Sequence, residues 1–418
     1  MQPELPKIDS LATFIFHFNV FKGYSTNPRS IYKDSHYLYD LLKDPSDCYH
    51  IIEISKHGGP EMRTVFRLEG TLADYQNFVR KKILDPLDQA YTSHYAFAYR
   101  KGISIRDNAK VHECCRYMLK LDIRHFFEST RKSLVFEMFR KYTPYSTNIL
   151  GLLTRIVCNN GYLCQGTSTA PQIVNLILAD FDHNIGNLCG TMGIQYSRYC
   201  DDMIFSSKDF FPYELLIEFI RGELKRYHYR LNEKKTCFLG PSSRKAVTGC
   251  VVNDHVRASR NYRKKIRQDL YYMEKYGVKD HLDHVRPPWY SGKGTDYELG
   301  HAVASLKGRI GFTAMLDPDE AFLEDAQKSL QKIREKLREF CLCREKLSFD
   351  FLPSTNLARY LEETQESGYY DYTTDLPMDS CFWEDPIMTD EVVPSPGDDD
   401  APEDELLFGI EGEGNDPL

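Results

Sequence analysis

YSRYCDDMIFSS, residues 196–207, sets two aspartates side by side between apolar stretches that would otherwise make one continuous buried strand. Asp201 and Asp202 are like charges in contact, and two readings account for them. One is a hairpin turn, where Asp is favoured because its side chain bonds nearby backbone. The other is a divalent cation, which converts the repulsion into coordination; Mg²⁺ is commonly held by one or two carboxylates plus substrate phosphates. Neighbouring segments bear on the choice.

Upstream, RYMLKLDIRHFFEST (residues 116–130) reads as a buried strand that ends at Asp122 and passes into a helix. A strand end is a rigid support on which a catalytic group can be exposed. GYLCQGTSTAPQIVNLILADFD (161–182) is a loop of small residues followed by an apolar helix starting near Pro171, a favourable first-turn residue. Earlier still, residues 48–70 alternate apolar and polar around Gly58, Gly59 and Pro60, which predicts a hairpin with Lys56 and Arg63 flanking its loop. Residues 72–87 have helical periodicity, and the first fifty suggest helices. Downstream, 211–232 form an amphipathic helix, followed by two short strands in KKTCFLG and KAVTGCVVND. This order predicts an α+β fold, a sheet with helices on one face. The hairpin would pack beside the Asp122 strand and bring three carboxylates together. Such a group can hold two metals about 3.5 to 4 Å apart, which activate a 3′-hydroxyl and stabilise leaving pyrophosphate.

At 418 residues the chain exceeds one average domain, so two or three subdomains are expected. The N-terminal residues show no basic region followed by an apolar run, and no stretch approaches the ~18 apolar residues of a membrane span. The twelve cysteines are scattered without CxxC pairs, as expected of free thiols in a reducing cytoplasm. Residues 371–418 carry sixteen Asp and Glu and no Lys or Arg, so the net −8 divides into a body near +8 and a tail near −16. A basic body suits a polyanion. The tail reads either as a solubilising, disordered extension or as a nucleic-acid mimic in a basic cleft. Arg257, Arg260, Arg263, Lys264, Lys265 and Arg267 crowd into eleven positions with no acid among them before Asp269. A solvated helix face explains part of this, and phosphate contacts explain the surplus.

KLDIRHFF, LCQGTSTAPQIVNL and YCDD, starting at Lys120, Leu163 and Tyr199, resemble the three palm motifs of reverse transcriptases in order and spacing. The resemblance spans roughly residues 51–318. It implies a right-hand polymerase: N-terminal region and fingers at 1–115, palm at 116–255, helical thumb at 256–345 and a C-terminal extension with an acidic tail at 346–418. It implies that Asp122 and Asp201 bind two Mg²⁺, or Mn²⁺ in its place, with Asp202 in support. Phe127 would lie under the sugar and reject a 2′-hydroxyl, while Phe126 is core. Gln165 and Gly166 would line the incoming deoxynucleoside triphosphate, although a simple polar turn also accounts for them. Lys56 and Arg63 would hold its triphosphate, or be idle hairpin charges. Lys235 would approach the pyrophosphate, with Lys234 an alternative.

NAKVH (108–112) and VTG (247–249) are similar to signatures of retron-type bacterial enzymes, in which Asn108 and His112 would help recognise a partner non-coding RNA that is also template. SLKGRIGFTAMLDP (305–318) resembles their thumb. YCDD in place of YADD, LCQG, STAP and the long C-terminal extension instead resemble the class 2 defence-associated reverse transcriptases, which copy a structured RNA repeatedly during phage infection. That subclass is expected over a retron. The implied partners are a cognate RNA, its cDNA and deoxynucleotides in the bacterial cytoplasm, without a membrane and with an unknown effector. Competing expectations are a retron enzyme, a template-independent polymerase of the abortive-infection type, and a non-catalytic RNA scaffold.

Overall fold

The computed structural model describes residues 3–55 and 62–347. Helix α1 (Leu11–Lys22) starts at a Ser10/Thr13 capping box and stops at left-handed Gly23, and α2 (Pro28–Leu41) starts at Asn27 with Pro in its first turn. Strands β1 (Tyr49–Ser55) and β2 (Met62–Leu68) make the expected hairpin, with Tyr49 opposite Leu68 and Ser55 opposite Met62. Lys56 lies outside the described residues. The expected helix over 72–87 is α3 (Gly70–Val79) and α4 (Asp85–Tyr91), joined by a π-helical turn over Arg80–Leu84. Short α5 (Ile105–Lys110) leads into β3 (Tyr117–Asp122). Helices α6 (Phe126–Ser129), α7 (Lys132–Tyr142) and α8 (Thr147–Val157) follow, then a small hairpin of β4 (Cys158–Asn159) and β5 (Tyr162–Leu163), the second strand falling within the stretch expected as loop. The apolar helix is split at Leu178 into α9 (Ala170–Ile177) and α10 (Ala179–Thr191).

Strands β6 (Gln195–Tyr199) and β7 (Asp202–Ser207) flank the two-residue turn Cys200-Asp201. After α11 (Tyr213–Arg226) comes β8 (Cys237–Leu239), which completes a four-stranded antiparallel sheet in the order β6-β7-β3-β8. Side chains alternate across a strand, so the register sorts them by face. Leu119 and Leu121 of β3 lie with Met203 and Phe205 of β7 in the main core, under the helices. Met118, Lys120 and Asp122 share the other face with Asp202, Ile204 and Ser206. That face is not bare. Its lower part packs on α5 and on the hairpin of β9 (Ala246–Val247) and β10 (Cys250–Val251), through Met118, Ile204, Ala109, Val247 and Cys250. Asp122 and Asp202, at the end of that face, are not among the members of this apolar cluster.

The remaining helices, α12 (Arg260–Tyr276), α13 (Val278–Val285), α14 (Asp296–Leu316) and α15 (Leu323–Leu347), close on a core of their own. Ile266, Leu270 and Met273 of α12, at one-turn spacing, meet Leu306 and Ile310 of α14 and Ile333 of α15 in it. Among the described residues no helix is long and apolar enough to cross a membrane.

Candidate active site

Asp122 is the last residue of β3 and is 4% exposed. It stands directly opposite Asp202 on β7, and the Ile123 N–H donates to the Asp201 carbonyl at 3.0 Å. The register thus brings all three aspartates to one end of the sheet. Backbone bonds tie the Asp122 end of β3 to the 230–232 segment on its other side: the Asn232 N–H donates to the Asp122 carbonyl at 2.8 Å, and Arg124 N–H to the Arg230 carbonyl at 2.9 Å. Cys200, at φ 60, takes the left-handed conformation that makes the turn tight enough to keep Asp201 at the strand end.

The electrostatics mark these groups as strained for charge. Burial and then Asp122 raise the Asp201 carboxyl. Asp202, open to solvent on one side and walled by protein on the other, is pushed to about 7 by desolvation, then by Asp201 and Asp122. Lys235 answers part of the negative charge: its Nζ lies 2.7 Å from Asp122 Oδ2, while Asn232 Nδ2 donates to Oδ1 at 3.0 Å. Burial pulls the Lys235 ammonium down, and the Asp122 bond together with the charges of Asp122, Asp201 and Asp202 outweighs it, raising it overall. Among the described residues no three His, Cys, Asp or Glu side chains are grouped so as to hold a metal ion by themselves. An open set of hard oxygen donors fits a divalent cation that takes one or two carboxylates and completes its shell with water and phosphate.

Gln165 and Gly166 sit where the loop after β5 touches β2. The Phe66 N–H donates to the Gln165 carbonyl at 2.8 Å. Gly166 has φ +97, and a Cβ there would meet the Phe66 carbonyl at 2.7 Å and also Val65 Cγ1. Glycine is what lets the two backbones meet. Arg63, on the same β2, is exposed. Phe127 lies in α6, one short turn after Asp122, 7% exposed and against Phe126 at 5.4 Å. The left-handed His125 between them bends the chain back after the strand.

Two groups of expected nucleic-acid contacts need correction. Asn108 and His112 have no exposed surface. His112 bridges the strands, with Nδ1 2.7 Å from Ser206 Oγ and Nε2 2.8 Å from Ser197 Oγ, and Ser197 Oγ donates to Asn108 Oδ1 at 2.6 Å. Asn108 Oδ1 and both His112 ring nitrogens are engaged with β6 and β7, and neither side chain presents surface to an RNA in this structure. The basic run is also less free than its spacing implies. Arg263 bonds both Glu320 oxygens at 2.5 and 2.6 Å, Arg257 pairs with Asp254 at 3.1 Å, and Arg267 lies 5.4 Å over the Phe322 ring. The balancing acids come from outside the run. Arg260, Lys264 and Lys265 are exposed, the last two lining a groove with Gln268, Tyr272 and His284.

Three further participants carry little or no mark in the sequence. Asn232, on Asp122, lies in a loop with no motif to single it out. Lys120, half-buried two residues before Asp122 on the same face, is lowered by burial and supported by Asp202. Its alternation with Asp122 in KLD is the available signal. Arg198, wholly buried on the opposite face, has none.

A family model described as Reverse transcriptase (RNA-dependent DNA polymerase) matches residues 54–255, a span that contains all three aspartates. The chain is 32% identical over 241 residues to the Retron Ec86 reverse transcriptase of Escherichia coli, covering 57% of this chain and 73% of that one. It is 30% identical over 275 residues to the Retron Se72 reverse transcriptase of Salmonella heidelberg (63% and 72%), and 28% over 304 residues to the Retron Ec83 reverse transcriptase of Escherichia coli (69% and 89%). Among solved structures it is similar to telomerase from Candida albicans at 12% identity and TM-score 0.40, over 82% of this chain and 69% of that one, too loose a match to carry an argument. The fold and site define a reverse transcriptase, a class that uses divalent metal ions. The chain belongs to the bacterial retron-type reverse transcriptases and is an RNA-directed DNA polymerase.

Proposed function

We propose that this enzyme copies a cognate structured non-coding RNA into DNA in the bacterial cytoplasm, as part of anti-phage defence, by Mg²⁺-dependent two-metal nucleotidyl transfer. The observation that carries the chemistry is the register that sets Asp122 opposite Asp202, with Asp201 in the adjoining turn. Bound cations would promote loss of the 3′-hydroxyl proton and offset charge on the departing pyrophosphate. Asp122 and Asp201 hold them, and Asp202 supports the site. Lys235 leaves Asp122 and turns to the leaving phosphates, a short swing for an exposed side chain. The Gly166 backbone and Gln165 line the nucleotide, Phe127 rejects a 2′-hydroxyl, and Arg63 with Lys56 holds the triphosphate. Arg260, Lys264, Lys265 and the groove beside them track the nucleic-acid backbone, contacts that position more than they specify.

The RNA and the defence role rest on the retron resemblance. The named relatives are retron enzymes, so a single RNA–DNA product is the first expectation; the class 2 reading, drawn from YCDD and the residues after 345, calls for tandem repeats instead. The test is to purify the protein expressed with its native flanking DNA and sequence the bound RNA and DNA, beside an Asp201→Ala/Asp202→Ala variant. DNA complementary to one bound RNA is expected in the parent. Losing several kcal/mol of transition-state stabilisation should cut its yield about 10³-fold or more in the variant. RNA bound equally by both with no DNA in either, even with phage and added deoxynucleotides, would replace the reading with a scaffold.

A further inference from the structure

The turn that carries Asp201 is held from the side of the sheet opposite the carboxylates. Arg198 of β6 faces Met203 in register and points into the helix-covered core, where it is 0% exposed. Asp182 of α10, also 0% exposed, takes it in a two-point bond, Nε to Oδ1 at 2.8 Å and Nη2 to Oδ2 at 2.7 Å. The remaining nitrogen, Nη1, donates to Asn175 Oδ1 at 3.2 Å and to the Cys200 carbonyl at 3.0 Å. Asp182 also accepts from the Tyr196 hydroxyl at 2.9 Å. A planar guanidinium locked on a carboxylate has no freedom left, so its third corner is a fixed donor.

What that donor fixes matters. Cys200 is a non-glycine residue at φ 60, a backbone state that persists only where its surroundings over-determine it. Its carbonyl belongs to the peptide that leads into Asp201, and the Asp201 carbonyl is itself held by Ile123 N–H at 3.0 Å. Arg198 and Ile123 therefore clamp the peptide groups on both sides of the Asp201 Cα, one from each neighbouring strand. With both planes fixed, the carboxylate keeps only its side-chain rotamers.

We propose that Arg198, oriented by Asp182, is a positioning residue that holds the Cys200–Asp201 turn in the geometry required for the Asp201 carboxylate to bind metal. This rests on the metal-dependent reading of the three aspartates. Arg198 touches no substrate and acts only through the turn.

The test compares three full-length variants with the parent. Arg198→Lys keeps a charge for Asp182 but cannot make the two-point bond and also reach Cys200. Arg198→Met/Asp182→Asn leaves no lone buried charge, so it keeps a folded comparison available if the lysine variant does not fold. Tyr196→Phe removes a bond to the same Asp182 but leaves the Arg198 clamp intact. Two readouts are taken on folded protein: Mn²⁺ binding measured directly, and the Mg²⁺ dependence of deoxynucleotide addition on an RNA template. Both Arg198 variants are expected to bind Mn²⁺ about tenfold more weakly and need correspondingly more Mg²⁺ for half-maximal rate, with RNA affinity unchanged; Tyr196→Phe is expected to match the parent. Parent-like metal affinity in either folded Arg198 variant, or an equal shift in Tyr196→Phe, overturns the proposal. If the parent binds Mn²⁺ yet adds no nucleotide to any RNA-templated primer, the functional reading fails while the binding comparison still decides the role of Arg198.

Discussion

Burial keeps His112 neutral. Its imidazole, sealed between Ser197 and Ser206, is pushed down to about 3 by desolvation. A group whose folded pKa lies below its unfolded value binds protons preferentially when unfolded, so stability falls as pH drops below the unfolded value near 6.5, by about 1.4 kcal/mol per unit until the folded pKa is reached. Between pH 7.5 and 5 this one residue should cost roughly 2 kcal/mol. Denaturant unfolding at the two pH values should show that loss in the parent and show it reduced by about this amount in His112→Gln; equal acid sensitivity in both would assign it elsewhere. The contrast with Asp122, Asp201 and Asp202 is instructive. The acids were legible because adjacent like charges between apolar runs demand an explanation, and because their strand partner ends in a third acid. The job of His112 was not, because a spacing pattern does not say whether a side chain points into a sheet or out to solvent.

At the scale of elements, the strands and most helices followed from alternation and one-turn periodicity. Two features escaped that reading. The helix after Pro171 breaks at Leu178 although no glycine or proline stands there, and β4 and β5 are only two residues each, too short for a pattern. Helix α12 shows why charge density in a sequence overstates a binding face. Arg263 is drawn to Glu320, in the turn between α14 and α15, across 57 residues of chain. Arg263→Ala should therefore cost about 2 kcal/mol in unfolding free energy, the worth of charged hydrogen bonds partly shielded from water, and leave the salt dependence of RNA binding unchanged. Lys264→Ala/Lys265→Ala should do the reverse, with parent-like stability and a slope of log affinity against log salt shallower by about 1 for each phosphate that is no longer neutralised. Binding measured across a salt series separates the two; a shallower slope for Arg263→Ala would return that residue to the interface.

Over the whole molecule, charge is divided more sharply than the net −8 suggests, since residues 371–418 alone carry sixteen acids and no base. The tail lies outside the described residues, so its effect follows from charge alone. Deleting 371–418 reverses the net charge to about +8 and should tighten nonspecific RNA binding at low salt, the difference fading as the screening length falls to a few ångströms near 1 M. Affinities that match the parent at every salt concentration would make the tail a passive extension.

The body of α12–α15 has one further property. It closes on its own apolar cluster, and it meets the sheet's second face through Tyr262, Phe312 and Leu316, which pack in the cluster that holds Met118 and Ile204. Tyr262 belongs to the surroundings of both clusters, so we expect this apolar joint to set how firmly the body of α12–α15 is held against the sheet. Loosening this joint should leave the rate of the first nucleotide addition untouched while shortening the products; Tyr262→Ala, followed by product-length distributions, reads this directly, and unchanged lengths would deny the joint that role. Endurance along a template would then be a mechanical trait of one small apolar joint, adjustable without disturbing the three aspartates at the far end of the sheet face.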